Sequence, residues 1–444
     1  MLAALTLACA LAGQPVRAAA DDAATDIAGL GIRFTGFGTL GLAHHGNRDV
    51  GVITSFSQVR PAAAGWSGNL DSVMGLQADA RLGATTLATL QGVVRGGDDF
   101  HPRLRMAYVR QQIGRDLALR LGRLRSPVFL DSDVNEIGFA YPTVRPSMPL
   151  YGSAAANFNH IDGADLQWRE GLGNSALLLQ AFAGRGAYRH MFYDQPGVPQ
   201  GRGTFDGARG LALSLALPDA MLRASRTWIR RFDLRTDQTD QLDAGLQAIA
   251  GGLTQTAANP LLPAPVAGGL LAKAAAVQGY TGLFAARPIY TSLGGDASLG
   301  DWRLQGEWAE FDSRSEMIGR YRGWTATLGH AMGSVTPYVS LTHNSRQTPL
   351  LDTAGLAPTG ADAGLDAALT GVRAQLDGAA ELTDLSARSA AVGLRWDWRD
   401  SCVFKLQYEH LRSRSARAPG VYAVRALPIN PEVRLLSLTL DFVF

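Results

Sequence analysis

Three arginines, Arg103, Arg105 and Arg120, precede a segment that carries Asp131, Asp133 and Glu136. Fixed positive charge facing fixed negative charge across a narrow aqueous gap makes a transverse field, and rings of charged side chains set ion selectivity in pores. Arg81 and Arg95 fall on the same predicted face as the first three arginines, with Asp79 as the clean acid among them. The acidic segment, Arg125 to His160, also holds Tyr141-Pro142, Arg145-Pro146, Met148-Pro149 and Tyr151. Proline and aromatic residues make a stiff, packed loop, unlike a Gly/Ser linker. The chemistry these residues offer is steering of charge, not the making of bonds.

Bond-making constellations are missing from the sequence. Gly36-Phe37-Gly38-Thr39-Leu40-Gly41 matches a dinucleotide fingerprint in letters, but no helix opens on it, as that site requires. There is no Gly-x-Ser-x-Gly elbow and no His-Glu-x-x-His. His44-His45 lacks the further ligands a metal site needs. No catalytic residue, metal or cofactor is expected. Lys and Arg number 41 against 39 Asp and Glu, which leaves no basic stripe for nucleic acid.

The elements that must position the charges alternate with period two. The chain ends in Leu436-Ser437-Leu438-Thr439-Leu440-Asp441-Phe442-Val443-Phe444, a strand with one apolar and one polar face. Similar alternation puts Arg303, Gln305 and Glu307 opposite Trp302, Leu304 and Trp308. It puts Arg395 and Asp397 opposite Trp396 and Trp398, and Lys405, Gln407 and Glu409 opposite Phe404, Leu406 and Tyr408. Arg103 and Arg105 oppose Leu104, Met106 and Tyr108. Arg226 is the exception: its parity places it on the apolar face with Leu222, Ala224 and Trp228, so the register differs there or this face meets another subunit.

Sixteen such segments are expected, starting near Gly31, Leu70, Thr85, Arg103, Leu117, Ile161, Ser175, Ala208, Met221, Pro288, Trp302, Arg320, Val335, Ala387, Cys402 and Val433. Connections alternate short and long. Short periplasmic turns and long extracellular loops mark an outer-membrane barrel, and an even strand count puts both ends on the turn side. Trp168, Trp302, Trp398 and Phe444 fall near predicted turns, where aromatic girdles sit. Leu242, Leu246, Ile249 and Leu253, and again Leu365, Leu369, Val372 and Leu376, have helical spacing within two long loops. Met1 to Ala20 is expected to be a secretory signal, with Ala18-Ala19-Ala20 as the cleavage site, leaving 21–444 as the barrel. Apart from that leader no apolar run is long enough for a membrane helix. After its removal only Cys402 is left, so no internal disulfide can form.

With these residues in place the chain resembles the Gram-negative porin family. The likeness covers the whole mature chain in architecture: sixteen alternating strands, short turns and a C-terminal Phe444. It implies that the segment from Gly122-Arg123-Leu124-Arg125-Ser126-Pro127 to Tyr151-Gly152 folds into the barrel and narrows it, with Asp131, Asp133, Glu136, Tyr141 and Arg145 on this constriction loop. Arg103, Arg105 and Arg120 stand where such porins keep a basic wall. The Pro-Glu-Phe-Gly-Gly loop motif of the enterobacterial general porins is absent. The resemblance further implies a homotrimer in the outer membrane, lipid and lipopolysaccharide around it, and Phe444 read by the barrel assembly machinery. Passive diffusion of small hydrophilic solutes, with weak anion preference, is the implied function. An adhesin that uses the long loops and a barrel-embedded lipid hydrolase are the alternatives. The hydrolase would need a Ser–His pair, and none stands out.

Overall fold

A computed structural model of the chain describes residues 25–26, 31–55, 57–152, 160–190, 201–424 and 427–444. The expected secretory segment lies outside the described residues. Sixteen antiparallel strands form one closed barrel. In chain order they are β1 (Ile32–His45), β2 (Val73–Arg81), β3 (Thr86–Arg95), β4 (Arg103–Ile113), β5 (Leu117–Leu124), β6 (Ile161–Leu172), β7 (Ser175–His190) and β8 (Gly201–Ala216). The second half is β9 (Ala220–Thr236), β10 (Ile289–Leu299), β11 (Trp302–Asp312), β12 (Arg320–His330), β13 (Val335–Arg346), β14 (Ala387–Arg399), β15 (Cys402–Ser413) and β16 (Glu432–Val443). Each strand pairs with the next, and β16 pairs with β1. All the expected segments are strands; β8 starts at Gly201, well before Ala208, because the ladder with β7 and β9 continues above a bulge at Gly207.

Turns at one end span only 173–174, 300–301 or 400–401, while crossings at the other reach 125–160, 237–288 and 347–386. Both ends of the barrel chain lie at the short-turn end. Backbone groups in lipid must all be bonded within the protein, and closure removes the last free edge. At the seam Gly36 N donates to Phe444 O (2.7 Å) and Phe444 N to Gly36 O (3.0 Å). The rings of Phe444 and Phe442 lie over Gly36 and Gly38, so close that a Cβ on Gly36 would stand 2.3 Å from the Phe444 ring. Gly36 and Gly38 of the apparent fingerprint therefore serve ring packing on the outer face of the seam, while Gly41 lies against Asp71.

Outward positions are apolar and exposed around the circumference, among them Leu40, Leu76, Leu121, Leu213, Leu304 and Leu406. Trp168, Trp302, Trp398 and Phe444 are exposed on this face at the short-turn end. An exposed apolar belt edged by aromatics, around a lumen of buried Asp165, Glu307, Lys405, Gln407, Glu409 and Asp441, is the inverse of a water-soluble protein. It is an outer-membrane barrel.

At the long-loop end the chain forms a second core. Helix α1 (Asp237–Ala257) begins on a capping box in which Thr239 N donates to Thr236 Oγ1 (3.0 Å) and Thr236 N to Thr239 Oγ1 (2.9 Å). Helix α2 (Ala264–Gln278) follows, and α3 (Ala363–Leu382) starts where Leu365 N donates to Asp362 Oδ1 (2.8 Å). Leu246, Leu253, Val277, Leu369 and Leu376 are fully buried among them, with Met317 and Leu356. Arg346 at the top of β13 ties this cap to the barrel by donating to the carbonyls of Glu316 (2.8 Å), Met317 (3.2 Å) and Ile318 (3.1 Å). The periodic spacing foretells α1 and α3. It does not foretell α2, which is apolar and small-residued on every side and so carries no stripe.

Candidate functional site: the constriction loop and its wall

β5 ends at Leu124, and the chain then turns into the lumen. Arg125 is buried and donates to Gln91 Oε1 (2.8 Å), Asn135 Oδ1 (2.8 Å) and Glu136 Oε2 (3.0 Å). Glu136 also meets Arg105 (2.8 Å) and Arg95 (3.7 Å). Asp98 sits beside it, 2.8 Å from Arg95, 3.8 Å from Arg103 and 3.9 Å from Arg105. Four arginines thus enclose two carboxylates. Burial alone would raise the Glu136 carboxyl, but the guanidinium groups of Arg105, Arg125 and Arg95 override it and hold the group at about 2.

A β-bulge builds this cluster. Met106 pairs with Gln91, and Leu104 pairs with Gly92, so Arg105 is an extra residue on β4. Arg103 and Arg105 both stay on the lumen side. Beyond the bulge the parity reverses, and Met106 and Tyr108 turn inward rather than outward as expected from alternation. Tyr108 pairs across the ladder with Thr89, which is buried on the lumen side, and its ring lies 5.2 Å from Arg120. Arg110 is brought onto the same face and pairs across the ladder with Arg120.

From this clamp the loop crosses the lumen. Leu130 N donates to Glu307 Oε1 (2.9 Å) on β11, and the Tyr151 hydroxyl donates to the other Glu307 oxygen. Asp131 accepts from Gln305 Nε2 (3.1 Å), and Asp133 pairs with Arg223 (2.8 Å) on β9. Burial, then the nearby carboxylates of Glu307 and Asp296, push the Asp131 carboxyl up to about 7 against the pull of Arg303 and Arg223. Phe129 packs on Tyr151 (5.5 Å) and Tyr290 (6.1 Å) within an aromatic cluster that includes Phe182, Phe205 and Phe232. This apolar patch inside the lumen was not foretold, because β7–β10 carry apolar residues on both faces and alternation gives no contrast there.

The second half of the loop reaches the wall at β14 to β16. Lys405 Nζ donates to the carbonyls of Gly138 (2.6 Å) and Thr143 (2.9 Å) and pairs with Asp441 (3.0 Å). Arg395 donates to the carbonyls of Phe139 (2.9 Å) and Tyr141 (2.7 Å) and pairs with Asp397 (2.8 Å). Tyr141 is buried, and its hydroxyl donates to the Val134 carbonyl. Arg145 lies against Asp71 (2.6 Å), Glu409 (3.4 Å) and Ser437 (2.5 Å). A Cβ on Gly138 would stand 2.2 Å from Asp441 Oδ1, so only glycine lets the loop lie this close to β16.

The candidate residues therefore fall into three groups. Arg95, Arg103, Arg105 and Glu136 meet at one clamp. Glu307, Arg395, Lys405 and Glu409 hold the loop, with Asp397 behind Arg395, and Tyr141 and Arg145 answer from the loop itself. Arg120, Arg303, Asp131 and Asp133 are only partly covered and face the remaining lumen. Arg81 is exposed at the short-turn end, and Phe444 lies at the seam, away from the loop. The acids that alternation did not single out are Asp71, Asp98, Asp165 and Asp296. Arg120 Nε donates to Asp165 Oδ1 (2.9 Å), and Arg303 Nη2 to Asp296 Oδ2 (2.7 Å). Asp165 shares parity with Gln167 on β6, a signal that was present in the sequence. Among the described residues no group of His, Cys, Asp and Glu is arranged to hold a metal ion.

No family model matches the chain, and no curated protein matches it in sequence. Solved structures do. Salmonella typhi OmpF in complex with daunomycin is 10% identical, with 95% of this chain and 100% of that one covered and a TM-score of 0.53. The outer membrane channel DcaP of Acinetobacter baumannii is 10% identical over 95% and 100% of the chains, with a TM-score of 0.49. An anion-selective porin from Comamonas acidovorans is 12% identical over 93% and 99%, also at 0.49. At these identities the likeness speaks to fold alone, and the first of the three carries it. The chain has a porin-like fold, a sixteen-stranded outer-membrane barrel with a loop drawn into its lumen.

Proposed function

We propose that the protein is an outer-membrane channel for passive diffusion of small hydrophilic solutes and ions, with a weak anion preference. The observation that carries the reading is the constriction loop. It enters a charged lumen, is bonded to walls on opposite sides, and leaves Arg120, Arg303 and Asp133 partly exposed to the space between. Fixed charges in a narrow space of low dielectric steer permeant ions. The preference is weak because the arginines are largely matched: Arg120 by Asp165, Arg303 by Asp296, Arg223 by Asp133. A homotrimer, contact with lipopolysaccharide, export by the Met1 to Ala20 leader and recognition of Phe444 during assembly complete this reading. The helical cap, with a core of its own, favours a second reading as a surface-binding barrel.

Planar-bilayer recording separates the two. A channel gives steady conductance, with a reversal potential in a salt gradient displaced slightly to the anion side. Silence with folded protein, or a clear cation preference, overturns the proposal.

A further inference from the structure

Arg226 does face outward. It is exposed on β9 between the inward, buried Ser225 and Thr227. The register is therefore the one alternation gives, and an arginine stands on the membrane-facing wall. It stands six positions past Ala220, about 14 Å up the barrel for strands tilted near 45° and within an apolar band of about 25 Å. The surface beside and beneath it is apolar: Leu211 directly across on β8, then Leu222 on its own strand, Leu213 on β8 and Leu293 on β10, all exposed.

Two observations give the side chain a direction and a companion. Its guanidinium lies 5.5 Å from the ring centre of Trp228, one outward step nearer the long-loop end. In the ladder Trp228 pairs with Arg209, which is also exposed and outward. One guanidinium thus lies against the indole and a second arginine stands beside it in the ladder, in the upper half of the apolar belt. Among the described residues neither has a carboxylate in ion-pair distance, whereas Arg230, one step higher, has Asp206.

We propose that Arg209 and Arg226, set about Trp228, bind the phosphate of an outer-leaflet lipid headgroup. Guanidinium donors match phosphate oxygens in geometry as well as charge. The indole suits the headgroup boundary. A second copy of the chain is the competing occupant, and charge argues against it. On the outer wall at the long-loop end Asp162, Asp233, Glu310, Asp312 and Glu432 are each engaged by an arginine of this chain. The wall offers no spare carboxylate there, among the described residues, to receive two more arginines. The inference rests on the orientation in the proposed function, long loops outside.

The test uses the intact protein in detergent, with bis-phosphorylated lipid A, dephosphorylated lipid A and inorganic phosphate as probes. Retained lipid is counted by native mass spectrometry. Wild type should retain the phosphorylated lipid at least tenfold better than the dephosphorylated one, and R209Q/R226Q should lose most of that difference. Both should conduct alike, since the two residues face away from the lumen. Should the double variant not fold, R209Q and R226Q singly carry the same test at about threefold each. Equal retention of both lipids, full competition by inorganic phosphate at the lipid's own concentration, or a variant that falls to monomers with lipid retention unchanged would each overturn the proposal. Absence of conductance in wild type would break the channel reading and leave the lipid result standing.

Discussion

The constriction loop and the helical cap rise from the same end of the barrel and are held by different physics. Beside one apolar patch, the constriction loop is fastened by charge: Glu136 to Arg95 and Arg105, Asp133 to Arg223, Arg145 to Asp71 and Glu409. The helical cap is fastened to itself by apolar burial, with Leu246, Leu253, Leu369 and Leu376 completely enclosed. A loop held by ion pairs is placed by the wall's charges and moves when one is removed. A cap with its own core is insulated from the lumen, and damage to it should stay local.

The sharpest break of that contrast is Glu136→Gln. It leaves Arg125 buried without a carboxylate and Arg105 with Asp98 alone, at 3.9 Å, and uncompensated buried charge costs on the order of 3–5 kcal/mol. The loop should leave the β3–β5 wall, single-channel conductance should change severalfold, and thermal stability should fall. Unchanged conductance and melting would show that the clamp does not place the loop. Acid should mimic the variant. The carboxyl is held at about 2 against an ordinary 4.5, so its contribution is complete above the ordinary value and is lost as pH falls through that window. Wild type should therefore lose stability between about pH 4.5 and 2 more steeply than Glu136→Gln.

The cap gives the complementary case. Leu369→Ala empties a fully buried position shared by the three helices and should cost about 2–5 kcal/mol within the cap. Proteolysis should open the 237–288 and 347–386 crossings while open-channel conductance stays as it was. A conductance change equal to that of the Glu136 variant would mean that cap and loop are one unit.

The barrel was legible because its signal is repeated strand after strand. Membrane outside and water inside force alternation on most strands, and short turns join neighbouring strands at one end. The two amphipathic cap helices were legible for the same reason, one wet and one dry face. Legibility fails where that contrast disappears. Phe182, Phe205, Phe232 and Tyr290 are apolar on a face that should be polar, since the loop, not water, covers them. The bulge at Arg105 fails differently: one inserted residue reverses the parity of Tyr108 and hides Arg110, and no local residue type announces it. The partners of the wall arginines were missed in part because Asp98 lies in a crossing, outside any strand pattern.

The smallest expected effect concerns the exposed edge of the loop. Asp131 is held by one neutral donor, Gln305, while Asp133 is paired with Arg223. Burial, with Glu307 and Asp296, pushes Asp131 up to about 7, so its charge appears only as the solution turns alkaline. Its folded value lies above its ordinary one, so it favours the folded state at low pH and withdraws that support as pH rises toward 7. The effect on selectivity has the same sign of change. With Asp131 neutral at pH 5.5 the lumen is more positive and anions are favoured. With Asp131 ionised at pH 8.5 the preference should weaken, by roughly a factor of two or less in permeability ratio, because the neighbouring charges are paired. Asp131→Asn should keep the pH 5.5 ratio at both pH values. A wild-type ratio that does not move, or an Asn variant that moves as far as wild type, would take Asp131 off the permeation path and leave Asp133 and Arg120 as the charges that meet the ions.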